Sequence, residues 1–521
     1  MRFPLALSFL TAALFLAACS AGSVPAPDSG VFLHRRHTPP FPPRARHRVT
    51  GTDVSRARAG GWQRISAGVP WVDGPSTELL MTDGTVLVQD YCTSNWHRLT
   101  PDQNGNYTTG TWSKIAAMPS NYGPLYFASA VLPNGYVMVN GGEYNGSGCA
   151  SAETNLGALY DPFTNTWTAV SPPSGWSSIG DAQSVVLANG TYMLGNCCYD
   201  YQALLTGGSS GWTQTGPGNG KGDANSEEGW TLLPNGNVLV VNVDAAPYSQ
   251  VYNPNTNEWT SAGKLPVNIV TGAEIGPQTL RPNETVFVAG ATGANVVYNV
   301  KRGTWSQTAS FPVVSGQQLD VADGPSALLP NGNVMIPASP GLYNAPSYYY
   351  LFNGSQLTSI AAPPNAPNDS TYNTRLLLLP TGQVMETDGS TDIEMYSGNK
   401  GSGKWAPSIS TAPSTVYGGN TYTVAGMGFN GVSQANMYGD DAQQASNYPL
   451  VRIVNDTTAH VFYCRTHGTS SMGVNAGVSV STSFDVPSGI ESGPATLVVV
   501  ANGISSQPVA ITVASSPHRK R

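Results

Sequence analysis

A short stretch recurs seven times along this 521-residue chain: "LLMTDGTVLV", "AVLPNGYVMV", "SVVLANGTYML", "TLLPNGNVLVV", "TLRPNETVFVAG", "ALLPNGNVMI" and "LLLPTGQVME". Its turn position is held by Gly84, Gly135, Gly190, Gly236, Glu284, Gly332 and Gly382, at intervals of 51, 55, 46, 48, 48 and 50 residues. Asn-Gly or Asp-Gly between two apolar runs signals a β-hairpin, because both central residues of a type I′ turn need positive φ. Glu284 departs from the pattern, so the fifth turn is expected to be of a different type. A second marker keeps the same rhythm, an aromatic residue with Asp or Asn and then a tryptophan, as in "LYDPFTNTWTAV" and "VYNPNTNEWTSAG". Trp62, Trp112, Trp167, Trp212, Trp259, Trp305 and Trp405 hold this place, and the sixth unit substitutes Leu357.

One such unit contains about four strands and cannot bury its own two faces; several packed radially can. The expected fold is therefore all-β, with a seven-bladed β-propeller over residues 61–411; a solenoid of β-units is the alternative. The strand at Trp62, ahead of the first hairpin, predicts ring closure by an N-terminal strand. The 58 glycines, 40 prolines and only 11% charged residues agree with a turn-rich β protein. The spacing and the Gly141-Gly142 pair are kelch-like. After residue 411 the rhythm stops. "TYTVAGMGF", "PLVRIV", "HVFYCRT", "VSVSTSFDV" and "PATLVVVANG" alternate like strands of an immunoglobulin-like sandwich, expected over 412–515.

The ends carry a different message. Arg2, the apolar run Leu5 to Leu16, and Leu16-Ala17-Ala18-Cys19 read as a lipoprotein signal over 1–19, with Cys19 lipidated as the mature N-terminus. A plain secretory signal is the alternative. Residues 20–60 read as a Pro- and Arg-rich tether and 516–521 as a basic tail. The expected location is the envelope of a bacterial cell, including an outer membrane where there is one, with membrane contact through the N-terminal lipid only. Outside these ends remain 13 of the 24 basic residues and 29 of the 31 acidic ones. A body with that excess of negative charge argues against nucleic-acid binding and suits neutral or cationic ligands. The chain is expected to act as a monomer. Cys92, Cys149, Cys197, Cys198 and Cys464 would remain as an odd set. A Cys92–Cys149 bridge between neighbouring repeats and a vicinal Cys197–Cys198 bridge are two of the pairings open to it.

In a propeller each innermost strand starts at one mouth of the central channel, so equivalent positions form a ring there. Nine residues before each turn stand Pro75, Tyr126, Asp181, Glu227, Ile275, Asp323 and Asn373, with Tyr372, Glu228 and Glu274 adjacent. Converging carboxylates share protons, bind a cation or stay hydrated. A wet channel mouth that merely tolerates such residues is the bland reading.

Seven kelch-like units followed by a β-sandwich resemble the galactose oxidase and glyoxal oxidase family of copper radical enzymes, over residues 60–515. "PLYFASAVLPNGYVMVNGGEY" resembles the segment with the radical tyrosine, here Tyr126, and Tyr144 falls on the aromatic that stacks over it. "TYNTRLLLLPTG" resembles the segment with an adjacent Tyr-His ligand pair. Tyr372 matches the tyrosine, and Asn373 stands where the histidine is expected. The resemblance assigns a further copper ligand, from the C-terminal domain, to His460 in "NDTTAHVFYCRT". It thus implies Tyr126, Tyr372 and His460 as catalytic and metal residues. The family's thioether cysteine is missing, and Pro75 occupies its place.

Three functions follow as expectations. The first is a glycan- or small-ligand-binding propeller without the copper radical centre, using Asp181, Glu227, Asp323, Asn373 and Tyr144; calcium or another hard divalent ion suits these carboxylates. The second is a copper-dependent alcohol or aldehyde oxidase with a modified site. The third is a polysaccharide hydrolase or lyase using the acidic mouth. His460, Cys464 and His467 form one further candidate, a soft-metal trio, with a structural role as the alternative.

Overall fold

A computed structural model describes residues 61–65, 69, 71–197, 199–206, 208–215, 218–398, 401, 403–438 and 445–515. The signal segment with Cys19, the tether, the basic tail and Cys198 lie outside the described residues. Apart from two 3-10 turns, Ala366–Asn368 and Thr371–Asn373, all regular structure is β. Successive repeats fold into sheets arranged like propeller blades. Six of these sheets have four antiparallel strands each, and the strands of the sixth repeat belong to a seven-stranded sheet. The strand Trp62–Arg64 pairs with Ile393–Tyr396 and completes the sheet of the last repeat, closing the ring from the N-terminal side as expected.

The repeated turns are not type I′. In "LPNG" only the glycine is left-handed, and all six turn glycines have φ between 76° and 85°. The amide of Gly135 donates to Leu132 O (2.8 Å) and that of Leu132 to Tyr136 O (2.8 Å), which is a type I turn followed by a left-handed residue. Proline at the second position explains the choice, since its φ is locked near −65°. The Asn or Asp then accepts the amide two residues on, as Asn134 Oδ1 does from Tyr136 (3.0 Å) and Asp83 Oδ1 from Thr85 (3.0 Å). The fifth turn corrects a second expectation: Glu284 adopts φ 60° and repeats the same hydrogen bond, its amide to Arg281 O at 3.0 Å. A left-handed non-glycine costs about 1–2 kcal/mol; the Val300 amide (3.1 Å) and Asn475 Nδ2 (3.3 Å) hold Glu284 in place.

The tryptophan marker is a blade-to-blade clamp. In several repeats the indole packs at a tilt against the tyrosine of its own repeat, with centroids 4.9 Å apart for Tyr160–Trp167 and Tyr298–Trp305, and 5.2 Å for Tyr252–Trp259. Its N–H reaches the preceding repeat: Trp167 donates to Ala116 O (3.0 Å), Trp212 to Ser171 O (2.8 Å), Trp305 to Ala262 O (3.1 Å) and Trp62 to Ala361 O (2.7 Å). Trp405 differs, lying in a turn outside any strand. The central strands are buried on both faces: Val86, Leu87, Val88, Val137, Met138 and Val139 are all fully enclosed. Each such side chain stabilises the ring by about 1.5–3 kcal/mol.

Strands between Ser408 and Ala514 form a nine-stranded sheet with its own apolar cluster, including Val424, Phe429, Ile453, Cys464, Phe484 and Leu497. This region sits against the turn end of the propeller: Arg465 Nη2 donates to Asn134 O (2.9 Å), and the Met472 amide to Ala188 O (2.9 Å). A segment of it, between the strands Thr421–Met427 and Leu450–Asn455, runs inside the ring. Asn436–Met437 pairs with Ser326–Ala327. Gln434 Oε1 accepts from the Leu232 amide (2.8 Å), Ala435 O from Leu328 (2.8 Å) and Asn436 Oδ1 from Leu378 (2.7 Å). These are amides of innermost strands, which a sheet edge otherwise leaves without a partner. The channel is thus filled from the turn end, and its other mouth carries the ring of polar residues.

Candidate functional site

Tyr372 and Asn373 do not begin a strand, contrary to the repeat reading. They lie in the 3-10 turn Thr371–Asn373 that precedes the strand Arg375–Leu378. Asn373 Oδ1 accepts the Ser370 amide (3.2 Å), and the Thr374 hydroxyl donates to Thr371 O (2.9 Å). Polar side chains that bond their own backbone in this way compete with a sheet ladder. The turn aims the Tyr372 ring into a buried cluster with Tyr126, Leu125 and Cys92, flanked by Tyr91, Tyr144, Tyr343 and Cys149. Cys92 and Cys149 are joined by a disulfide, one of the two pairings read from sequence. Tyr144 meets Tyr126 edge-on at 6.3 Å rather than stacking over it.

Tyr343 links this aromatic cluster to the carboxylates. Its ring meets Tyr372 edge-on at 5.3 Å, and its hydroxyl donates to Glu274 Oε1. Glu227, Glu274 and Asp323 enter three successive sheets, yet one oxygen from each lies within 4.8 Å of the others, and all three residues are buried. Burial first, and then the charge of Glu227, push the Glu274 carboxyl up to about 8, against hydrogen bonds from Asp323 and Tyr343. Asp181 adds negative charge near Glu274 and Tyr144, and accepts a hydrogen bond from the Cys197 thiol (3.1 Å). Burial holds the Tyr126 and Tyr144 phenols well above their usual range. Tyr126, Asp323 and Tyr343 all have left-handed φ (51°, 42° and 61°), an unfavourable conformation that gathers at functional sites.

The structure brings together Tyr126, Asp181, Glu227, Asp323 and Tyr372 of the ring reading with Tyr144 of the resemblance, while Asn373 bonds its own turn. Glu274, which that reading set beside the ring and not in it, takes the fifth place, because the fifth repeat is one residue out of step and the count falls on Ile275. The ring reading leaves out Tyr343, which follows the strand Val334–Pro340, and Tyr438, which lies beyond the repeats.

His460 does not join them. Its Nδ1 bonds Glu491 Oε1 at 2.6 Å, the next residue's amide donates to Gln103 O (2.8 Å), and both side chains are partly open to solvent. The segment that does enter the ring is Gln434–Tyr438, about a strand and a loop earlier in the chain. The soft-metal trio does not assemble either. Cys464 is in the apolar cluster of the C-terminal sheet, and His467 Nε2 bonds Asp485 at 3.1 Å. The other described histidine, His97, packs on Trp71.

The donors beside Tyr126 do not fit copper, which prefers nitrogen ligands. No described histidine is among them. A buried guanidinium is: that of Arg375, whose carbon lies 5.5 Å from the Tyr126 ring and 3.9 Å from that of Tyr438. The carboxylate group is different in kind. Glu227, Glu274 and Asp323 offer only hard oxygen donors, the chemistry that calcium or manganese takes.

No family profile matches the chain. It is 25% identical over 279 residues to "Kelch-like protein terF" of Aspergillus terreus. The match covers 46% of this chain and spans 55% of that relative's length. With the sheet arrangement, this supports a kelch-type β-propeller. Among solved structures, the chain is similar to the extracellular domain of a hybrid two-component system from B. thetaiotaomicron, with TM-score 0.46 and 10% identity over 88% of this chain and 58% of that one. It is also similar to YjhT, with TM-score 0.35 and 14% identity over 62% of this chain and 95% of that one.

Proposed function

We propose that this chain is a binding protein whose channel mouth takes a small polyhydroxylated ligand, such as a glycan unit, through a hard divalent cation held by Glu227, Glu274 and Asp323. The observation that carries the reading is the convergence of these three buried carboxylates from separate sheets, directly beside Tyr343, whose ring meets that of Tyr372. A cation there accepts ligand hydroxyls into its coordination shell, while Tyr144 and Tyr343 offer ring faces and edges to sugar C–H groups. In this reading the ring has seven blades, with Ser326–Leu328, Val334–Pro340, Tyr348–Phe352 and Leu357–Ile360 as the sixth. The region after 411 is an immunoglobulin-like domain, and lipidated Cys19 anchors an exported, monomeric protein to the cell envelope.

Calorimetric titration of metal-stripped full-length protein with Ca²⁺ and Mn²⁺, followed by glycan binding with and without chelator, tests the proposal. Saturable cation binding lost in Asp323→Asn, with glycan binding lost on chelation, is the expected result. Glycan binding indifferent to both cation and Asp323→Asn overturns it. One observation favours a second reading, hydrolysis: a Glu274 carboxyl raised to about 8 beside Glu227 resembles an acid–base pair. Reducing-end release that is lost in Glu227→Gln and needs no cation would favour that chemistry over binding.

A further inference from the structure

We propose that Arg375 is the resident cation of the tyrosine half of the mouth: its guanidinium fills a cage made by Tyr126 and Tyr438, so this cluster takes its positive charge from the chain itself and not from a metal ion. Arg375 is only 1% exposed, and a buried guanidinium persists only where hydrogen bonds and counter-charges replace water. Here Nη1 donates to Tyr372 O (3.0 Å) and Thr374 O (2.9 Å). The ring of Tyr438 lies at 3.9 Å and that of Tyr126 at 5.5 Å, both within cation–π range. On the other side its charge offsets the fully buried Glu78 and favours the ionised form of the Tyr126 phenol.

The cage joins parts distant in sequence. Tyr438 comes from the segment inside the ring, and its hydroxyl donates to the same Tyr372 carbonyl (3.0 Å) that Arg375 Nη1 contacts. The Tyr372 ring then meets Tyr343, whose hydroxyl holds Glu274. Arg375 is thus a positioning residue for Tyr372 and, through it, for the carboxylate side. A metal ion on the Tyr126 oxygen would stand close to a fixed guanidinium of like charge, in a low-dielectric interior that strengthens their repulsion.

Two measurements test this. Full-length protein titrated with Cu²⁺ is expected to show no phenolate-to-copper charge-transfer absorption. Such a band in the wild type, lost in Tyr126→Phe, overturns the proposal whether or not any Arg375 variant folds. Arg375→Ala is expected to unfold at lower temperature than wild type. Millimolar methylguanidinium is expected to raise its midpoint more than that of wild type, while equal concentrations of sodium or lithium do not. Equal shifts in the two proteins would mean that no vacated cage exists. Glu274→Gln leaves the cage intact, so these outcomes do not depend on cation binding at the carboxylates.

Discussion

Glu227, Glu274 and Asp323 converge from three different sheets, whereas Glu386, Asp388 and Glu394 gather on two neighbouring strands of one sheet and the turn between them. Both triads are buried, and both consist only of carboxylates. Their surroundings differ. Glu386 and Glu394 are direct cross-strand partners, an unfavourable pairing for like charges. Burial and neighbouring acids push both carboxyls well up. Tyr349 donates to Glu386 (3.0 Å), and Asn365 Nδ2 to Asp388. This triad settles its charge with protons and fixed donors. At the mouth the three acids come from independent blades, so their spacing is set by the ring and not by a ladder, and Tyr343 is a half-buried roof. In the function proposed above, equal composition serves as a proton store in one place and as a cation seat in the other.

Several substitutions can break or sharpen this contrast. The largest effect is expected for Glu386→Ala, which leaves the Tyr349 hydroxyl unpaired beside a new cavity. It should cost about 3 kcal/mol in urea unfolding and leave cation titration at the mouth unchanged. If it also abolishes cation binding, the two triads are not independent. Next, Glu274→Gln is expected to weaken Ca²⁺ or Mn²⁺ binding at least tenfold, about 1.4 kcal/mol, without lowering stability in the absence of cation. A second stoichiometric cation site that disappears in Glu394→Gln would contradict the proton-store reading.

A smaller effect concerns pH. Glu386 and Glu394 have folded pKa values above the ~4.3 of an unfolded glutamate. The native state therefore keeps protons that the unfolded chain has released. Their contribution to stability is full below the unfolded pKa and is lost as pH rises towards the folded values, by at most about 1.4 kcal/mol per pH unit for each group. Unfolding measured from pH 4.5 upwards should show this slope in wild type and a flatter one in Glu394→Gln; identical slopes would remove the pair from the account. The smallest effect is that of Tyr343→Phe, expected to change cation affinity about fivefold, since one hydrogen bond is worth about 1 kcal/mol. It should leave the pH slope of the blade triad untouched.

Much of this was legible in the chain. The turn motif indexes every innermost strand, because proline, an Asx residue and glycine each have a local backbone reason to stand where they do. Counting back from it placed Tyr126, Asp181, Glu227 and Asp323 together. The same count missed Glu274 by one residue, and it made a strand of Tyr372-Asn373, where side chains bonding their own backbone formed a helical turn. His460 was misplaced for a different reason. It was expected only from the family resemblance, and beyond residue 411 there is no repeat by which to index the segment. The segment inside the ring carries Gln434, Asn436 and Tyr438 instead, chosen by the open amides of Leu232 and Leu378 and by the guanidinium of Arg375.

The sequence by itself determined the repeat, the all-β class, closure from Trp62, and the polar character of one end of the ring. Those properties follow from turn chemistry and from apolar runs that no single unit can bury, and both are written locally. Only the tertiary structure decided which acids meet, which cation faces Tyr126, and which segment enters the channel. These depend on side chains brought together from different repeats and from the C-terminal region, with separations that one turn or one residue out of step can change.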